Sequence, residues 1–527
     1  MWYRFAQEIQ KLPIPLPDYV SGILSDISNA GGRALIVGGA VRDSLLGISP
    51  KDIDFEVYGL SYDQLNDILQ KYGKVDLVGK AFGVIKFVGQ DGSDFDFSLP
   101  RKDSKSGVGH KDFNVEVSSN LTPEEAAARR DFTFNAISYD PLTGEIIDPY
   151  NGRKDLQNKI MRHTSDAFAE DALRVLRGMQ FASRFGFDIA PETAELANSI
   201  RDQYKHLPKE RVHEEFKKLV RKGIEPGRAL DYLYKTGWSE NFPHIHNLKG
   251  VPQEPEYHPE GNVDVHTAHV MNEAARIADE QNLSPEDREV LVYAALCHDF
   301  AKPKTTKTML KKGVERITSH GHEEAGGPMA REFLSQIGAP RNIIDKVVPL
   351  VENHLNHIHH SNTTKQDSFV KNLAERLHPA NIKSLEQLIE ADHSGRPPLS
   401  KGLPEQAKYM SDKAKLHGVY EGRHPGFLQG KDILQRYPWV QPGAHIGDTL
   451  KEHRNYLLKH NELTTQEHMD QWLDQIMKQK TNNVKAEDVI QLGFKGADIK
   501  HKLDEAWDLQ KQGFNKKEIL EKFKSES

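Results

Sequence analysis

Asp52 and Asp54, separated by one apolar residue in DIDFEVYG, are the first side chains in this sequence whose spacing suggests chemistry. On a strand, residues i and i+2 leave the same face, so both carboxylates would project together. Like charges that close disfavour each other's ionisation unless a cation lies between them. Hard oxygen donors side by side suit Mg²⁺, which bridges substrate phosphates. Asp96 in DFDFSLP is a third carboxylate on a later strand able to pair alongside, with Asp94 on the same face as its rival. Gly38 and Gly39 follow the apolar run ALIV and precede AVRDSLL, where backbone N–H groups at a helix start can approach a phosphate. Each feature also has a plainer reading: a polar edge strand for the aspartates, a tight turn for the glycines.

Asp171 and Arg174 in EDALRVLR form another informative pair, expected at i and i+3 of one helix and so on one face. A carboxylate accepts from an exocyclic amino group, and a guanidinium donates to a ring nitrogen or carbonyl. Cytosine and adenine both offer that amino group beside a ring acceptor, whereas uracil and guanine present a carbonyl there. One protein pair would therefore accept C and A and reject U and G without a template strand. The alternative is an ordinary surface salt bridge.

The third concentration of chemistry is histidine-based. Twelve of the 25 histidines fall in residues 251–400. Adjacent His298 and Asp299 end the apolar run LVYAALCHD and offer a nitrogen and an oxygen ligand around one point. His266 in VDVHTAHVM and Asp392 in ADHSGR add one ligand of each kind, and His320, His322 and His354 are candidates for a second metal or a phosphate. Five lysines and no acid lie in residues 302–312, so Lys302 or Lys304 would neutralise a phosphate. Residues 101–111 (RKDSKSGVGHK) form a second basic run, with four cations and one anion. Such runs are also what solvated loops look like.

These residues need elements to hold them. Up to about residue 150, β-rich runs (ALIVGGAV, DIDFEVYG, GVIKFVG, DFDFSLP, FTFNAISYD) alternate with Gly, Asp and Pro turns and one helix, SYDQLNDILQKYG. From Leu156 onward strand signals stop, and apolar residues recur at three- and four-residue steps. GVPQEPEYHPEG, residues 250–261, reads as a linker, and PPLSKGLPE marks a further boundary. In the tail, Asp432, Ile433, Gly443, Ala444, Ile446 and Leu450 align with Asp488, Val489, Gly496, Ala497, Ile499 and Leu503. That spacing predicts two copies of a helix, a glycine turn and a longer helix; two unrelated helical hairpins are the alternative.

At about 150 residues per domain, 527 residues imply several domains. No apolar run approaches the roughly 20 residues of a membrane span, and the first residues carry charge where a secretion signal needs an apolar stretch. The single cysteine excludes an internal disulfide framework and a zinc ribbon. A net charge of −7 counts against a purely electrostatic nucleic-acid binder. The expectation is a soluble cytoplasmic protein with no membrane partner, monomeric or dimeric.

GGAVRD, DIDF, RRDFTFNAISYD, DPYNGRKDL, EDALRVLR and KERVHEE occur in one order. This succession resembles the class II tRNA nucleotidyltransferase and bacterial poly(A) polymerase family over about residues 30–240. His266, His298–Asp299 and Asp392 match the H…HD…D pattern of HD phosphohydrolases, which narrows the resemblance to CCA-adding enzymes carrying a C-terminal HD domain. The resemblance implies an α+β fold. A polymerase-beta-like nucleotidyltransferase head with a mixed antiparallel sheet (1–150) precedes a helical neck and body (151–249) that binds the base and tRNA. An all-α HD domain (250–400), a helical tail (401–480) and a duplicated helical module (481–527) follow, the last reaching past the family's usual end. It implies that Gly38, Gly39 and Arg42 handle the triphosphate, and that catalytic Asp52 and Asp54, with Asp96, work with two Mg²⁺ ions. Of those ions, one would activate the RNA 3′-hydroxyl and one would steady the leaving pyrophosphate. Arg130 and Asp131 would contact the incoming nucleotide, Asp171, Arg174 and Arg177 would complete the ATP and CTP site, and Glu210, Arg211 and Glu214 would be structural. The basic run 101–111 would lie by the RNA backbone or triphosphate. The HD ligands would hold a transition metal such as Ni²⁺, Mn²⁺, Co²⁺ or Fe²⁺. The implied activity is addition of CCA to tRNA from CTP and ATP, with a phosphoesterase acting on 2′,3′-cyclic or 2′-phosphate ends. A poly(A) polymerase with the same head, a phosphohydrolase whose head only binds RNA, and a non-catalytic RNA-binding module are the alternatives.

Overall fold

The computed structural model describes residues 12–76, 83–105, 113–118, 120–311, 313–361, 366–423, 430–437, 440, 443–459, 466–481 and 483–526. They form two compact units, 1–354 with 387–404 and 355–386 with 405–527. Among the described residues no helix is long and apolar enough to cross a membrane.

The first unit opens with a helix, Asp18–Asn29, and a seven-stranded sheet. Its strands are β1 (Arg33–Val37), β2 (Asp54–Tyr58), β3 (Gly73–Asp76), β4 (Val84–Gly89), β5 (Asp94–Ser98), β8 (Ser138–Tyr139) and β9 (Ile146–Ile147), in the order β3-β4-β5-β2-β1-β8-β9. A separate hairpin, β6 (Arg101–Lys105) with β7 (Phe113–Val117), is the basic run 101–111 as far as residue 105; the remainder of that run lies outside the described residues. All pairings of the large sheet are antiparallel except β2 with β5, which run parallel. A parallel pair needs a crossover. The helix Tyr62–Leu69 makes it, begun by a Ser61–Gln64 capping box. Buried Phe55, Phe87 and Phe97 form part of the head's core, Phe55 stacked on Phe97 and Phe87 meeting that same ring edge to face.

Several expectations need correction. FTFN in FTFNAISYD is a 3-10 turn, Thr133–Asn135, and only Ser138–Tyr139 of that run pairs in the sheet. The arginine pair before it therefore enters a tight turn in place of a strand. The helix Asp18–Asn29 adds to the head a helix that its β-rich pattern hides. Strands also recur past Leu156. A two-residue parallel pair joins β10 (Ile160–Met161) to β11 (Asp188–Ile189), and β12 (Lys307–Lys311) forms a hairpin with β13 (Val314–Thr318) inside the helical region. Both are too short or too polar to show period-two alternation.

Beyond the head the unit is helical. The helix Leu173–Phe185 packs on Lys209–Lys222, which in turn packs on Pro285–Cys297. Arg288 fixes the last contact by donating to the carbonyls of Val220 at 3.2 Å and Gly223 at 2.6 Å, beside a 2.6 Å Arg221–Glu289 bridge.

In the second unit, Gly430–Arg436 with Ala444–Lys459, and Ala486–Gln491 with Ala497–Lys511, are the two predicted helix–turn–helix copies. Aligned residues occupy equivalent places. Ile433, Ile446 and Leu450 enter one core, while Val489, Ile499 and Leu503 enter another.

Candidate functional sites

The first site is a cleft of about 310 Å³ lined by Gly38, Gly39, Arg42, Asp54, Arg130, Asp131, Asn135, Asp171, Arg174, Arg177 and Arg211. Sheet register assembles its acidic edge. Val37, last in β1, pairs with Asp54, first in β2, so the Gly38–Gly39 turn is delivered beside that carboxylate. Across the other side of β2, Asp54 is in register with Asp96, whereas Asp94 pairs with Val88 on β4 and has no partner on β2. Asp52 lies in the bend before β2, exposed, so the two aspartates are a strand end and its approach instead of two positions on a strand. Desolvation of its carboxylate against the cleft, together with the charges of Asp96 and Asp52, raises the Asp54 pKa, against the pull of Arg130. Carboxylates crowded in this way fit a divalent cation.

Gly38 has φ +69°, and a Cβ there would lie 3.2 Å from an Arg130 Nη1. Glycine thus satisfies both the left-handed backbone and the approach of the arginine. Buried Glu56 on β2 holds Arg129 at 2.9 Å and accepts from the Tyr58 hydroxyl at 2.7 Å. Burial opposes its ionisation, but Arg130 and Arg129 outweigh that and keep its pKa low. Sequence reasoning missed Glu56, hidden at an inward strand position.

Asp131 is buried and already occupied. Its oxygens accept from Arg177 Nε at 2.7 Å, Asn135 Nδ2 at 2.8 Å and the Phe132 N–H at 2.8 Å. Asn135 accepts in turn from Arg42 Nη1 at 2.8 Å, and Arg42, only 5% exposed, lies over the rings of Phe181 and Phe185. The carboxylate stays ionised because Arg177 and these bonds outweigh its burial. Arg42, Asn135, Asp131 and Arg177 are therefore one rigid network along the cleft wall.

Asp171 and Arg174 both line the cleft, but not as two positions of one helix. Asp171 precedes the helix Leu173–Phe185, its backbone extended, and its carboxylate accepts the Leu173 N–H at 3.0 Å. Arg174 donates to the carbonyls of Ala167 at 2.5 Å and Arg129 at 2.6 Å. The two are not joined in a surface salt bridge. Arg211, expected to be structural, is exposed and lines the cleft, while Glu214 bridges Lys217 at 3.2 Å and Glu210 faces solvent.

The second site is a buried cluster in the helical part of the same unit. Four helix ends converge there: His266 in Val263–Glu280, His298 and Asp299 after Pro285–Cys297, His322 opening His322–Gln336, and His354 closing Arg341–Asn353. Asp392 comes from Ile382–Ser394. His266 Nε2 lies 3.1 Å from Asp392 Oδ1, His298 Nε2 3.2 Å from Asp299 Oδ2, and His322 Nε2 3.4 Å from Asp299 Oδ1. Asp299 thus joins two ligand groups, one with His266 and His298 and one with His322 and His354. His320 is exposed and outside both.

In each histidine the other ring nitrogen is tied down. The Nδ1–H donates to the carbonyl of Ala295 from His298 (2.7 Å), of Ser319 from His322 (2.6 Å) and of Val351 from His354 (2.7 Å). His266 Nδ1 lies 2.8 Å from Glu260 Oε1. In His298, His322 and His354 that arrangement leaves Nε2 facing the cluster, whereas burial lowers the His266 pKa but Asp392 and Glu260 push it up to about 9. His298 Nε2 and Asp299 Oδ1 are buried without a hydrogen-bond partner, which a metal ion would satisfy, while Asp299 Oδ2 faces the Lys302 ammonium. Burial opposes the charge on Asp299, yet His298 and Lys302 hold its pKa well below the carboxylate range. Burial and the neighbouring His322 and His298 push His354 down to about 3, so it is neutral and ready to ligate. The donor set of imidazoles and carboxylates fits a divalent transition metal.

The segment 250–261 is not a linker. Its Gln253 accepts from Lys302 at 2.7 Å, and buried Glu260 is 2.8 Å from His266 and 2.9 Å from His258. Proline and glutamate gave it a solvated appearance; its role shows only through these contacts. Lys302, buried, bridges Asp299 at 2.8 Å, and Lys304 is exposed.

Comparison with known proteins follows this division. The family description "Poly A polymerase head domain" matches residues 34–162, "Probable RNA and SrmB-binding site of polymerase A" matches 186–249, and "HD domain" matches 263–392. A protein named multifunctional CCA protein from Actinobacillus pleuropneumoniae is 37% identical over 342 residues, 64% of this chain and 78% of that one. Its namesake from Shewanella denitrificans is 33% identical over 413 residues, 76% of this chain and 94% of the other. Among solved structures, the Bacillus stearothermophilus CCA-adding enzyme in complex with CTP aligns with a TM-score of 0.57 at 22% identity, covering 89% of this chain and all of that one. The Thermotoga maritima CCA-adding enzyme complexed with tRNA aligns with a TM-score of 0.51 at 17% identity, covering 88% and 96%.

Proposed function

Since this chain belongs to the family of multifunctional CCA proteins, we propose that its head adds C, C and A to tRNA 3′ ends from CTP and ATP, and that its HD site hydrolyses phosphate from blocked RNA ends. The head is a nucleotidyltransferase, and divalent metal ions serve both sites; Mg²⁺ in the head and a transition metal such as Ni²⁺, Mn²⁺ or Co²⁺ in the HD domain are the proposed identities. Work on tRNA with these nucleotides fits the cytoplasm.

The observation that carries the first half is the Asp54–Asp96 register at the mouth of a cleft whose wall is cationic. Asp52 and Asp54, with Asp96, would hold the ions, which when bound would supply charge stabilisation to the phosphoryl transfer. The RNA 3′-oxygen bonds to the α-phosphorus, and the bond to the pyrophosphate oxygen breaks. Arg130 and Arg177 face the triphosphate, Arg177 kept in place by Asp131. Arg42 and Asn135 brace that pair from behind the Gly38–Gly39 turn. Asp171 accepts from the exocyclic amino group of cytosine or adenine. Arg174 spends two N–H groups on backbone carbonyls and keeps the others for the base edge. Anchored so, it reads the base without first paying to be ordered.

In the HD site His266, His298, Asp299 and Asp392 would hold one metal, and Asp299, His322 and His354 would hold a second; bound there, the metals would lower the pKa of a water for attack on the phosphate. Glu260 orients His266, and Lys302 keeps Asp299 ionised. Opening a 2′,3′-cyclic phosphate by breaking its P–O3′ bond returns the 3′-hydroxyl that the head extends.

The test is incubation with tRNA ending before CCA and CTP alone, ATP alone, or both. The expected products end in CC with CTP alone and in CCA with both. A run of A residues from ATP alone identifies a poly(A) polymerase instead.

A further inference from the structure

Between the HD residues Asp299 and His322 the chain leaves the helices as the β12–β13 hairpin, with Lys307 opposite Thr318 at its base and Lys311 opposite Val314 near its tip. We propose that this hairpin is the RNA-holding arm of the HD site, gripping the 3′-terminal strand of a tRNA so that its phosphorylated end reaches the metal ligands; this rests on the HD site acting on RNA ends.

Both feet of the hairpin stand on the site. On the entering side, Lys302 touches Asp299 at 2.8 Å. On the leaving side, the Ser319 carbonyl accepts from His322 Nδ1 at 2.6 Å. The Thr306 and Ser319 hydroxyls meet at 2.8 Å and close the base. One flank is tethered: Glu254 accepts from Arg316 at 2.8 Å and from the Ile317 N–H at 2.9 Å. The arm therefore has a set direction relative to the ligands.

The rest of the arm is unburied and unlike an ordinary solvated turn. Lys307 is exposed, and Leu310, Val314 and Met309 are 72%, 55% and 45% exposed. Large apolar side chains on one short hairpin meet ribose and base faces, and exposed Lys304 and Lys307, in a run with five lysines and no acid, meet phosphates. This charge favours a polyanion over a protein partner. A five-residue strand spans roughly 17 Å, more than one nucleotide needs, so the arm distinguishes an RNA end from a mononucleotide.

The experiment uses the full chain loaded with Ni²⁺ or Mn²⁺, and Lys307→Glu and Leu310→Ser singly and together, both at exposed positions. Hydrolysis of 2′,3′-cyclic CMP is compared with hydrolysis of tRNA ending in a 2′,3′-cyclic phosphate, at several salt concentrations. The double variant is expected to lose about tenfold or more in kcat/KM on the tRNA, mainly through KM, with a shallower salt dependence and cyclic CMP within about twofold. Equal kcat/KM on the tRNA in all variants overturns the arm. So does parallel loss on both substrates, which makes the hairpin a support of the metal site, or hydrolysis of cyclic CMP with none of the tRNA end. An unmodified chain that hydrolyses neither substrate refutes the HD reading, and the arm with it.

Discussion

The head cleft and the HD cluster both gather carboxylates, by opposite means. In the head, Asp52 and Asp54 are exposed, and among the described residues no cation forms an ion pair with Asp54; sheet register brings it beside Asp96. The surrounding arginines are the ordered partners, locked by Glu56, Asp131 and two backbone carbonyls. In the HD cluster the histidines themselves are locked: all four are buried, three tied through Nδ1 to backbone carbonyls and His266 to Glu260. The difference suits the two tasks. Metals that arrive with a triphosphate need an open acidic edge facing a rigid cationic wall. A resident metal needs ligands whose orientation is settled beforehand.

The comparison is broken most severely at the metal ligands. Asp54→Ala is expected to lower CTP and ATP incorporation by about a thousandfold or more, read by extension of tRNA lacking CCA, while hydrolysis at the HD site is unchanged. His298→Ala with Asp299→Ala should do the reverse, abolishing hydrolysis and leaving incorporation intact. Loss of both activities in either variant would mean that the sites are not separate centres.

A finer cut falls behind the ligands. Glu260→Gln should weaken metal binding at the HD site by about 10–100-fold, measured by metal titration of the metal-free protein, and leave nucleotide incorporation alone. Unaltered metal affinity would make Glu260 a packing residue. The smallest effect is expected at Asp171 and Arg174, the pair proposed to read the base. Asp171→Ala should relax discrimination of C and A against U and G by about 1–3 kcal/mol, by analogy with base readout in DNA grooves, with little change in triphosphate affinity. Arg174→Ala should cost both, because it also releases the Arg129 carbonyl. Full retention of C and A preference in both variants would leave the base to be read elsewhere.

What the sequence showed depended on where each residue's partner lies. His298 and Asp299 were legible as neighbours because they are adjacent, and Asp96 as a possible partner of Asp54 because both sit on strand-like runs, whereas the strand spacing read for Asp52 and Asp54 did not hold. Asp171 was found for the right cleft but placed on the wrong element, since a 3-10 turn before a helix has no periodicity of its own. Glu56 and Glu260 were not legible: one is an inward charge on an apolar strand, the other lies in a segment composed like a linker. Glu56 acts through Arg129, far away in the chain, and Glu260 through His266 across a turn that composition does not signal, so in both cases the contact appears only in the fold. The hairpin β12–β13 escaped notice for a related reason, as its exposed strands lack a buried face to impose alternation.

The measurement that bears most directly on one chain carrying two cooperating metal centres uses two tRNAs lacking CCA, one ending in a free 3′-hydroxyl and one in a 2′,3′-cyclic phosphate. Each is given CTP and ATP with Mg²⁺ and Ni²⁺, and extended by the unmodified protein or by the His298→Ala, Asp299→Ala variant. The prediction is that the unmodified protein extends both, and the variant only the tRNA with the free hydroxyl. Extension of the cyclic-ended tRNA by the variant, or failure of the unmodified protein to extend it, would contradict the account.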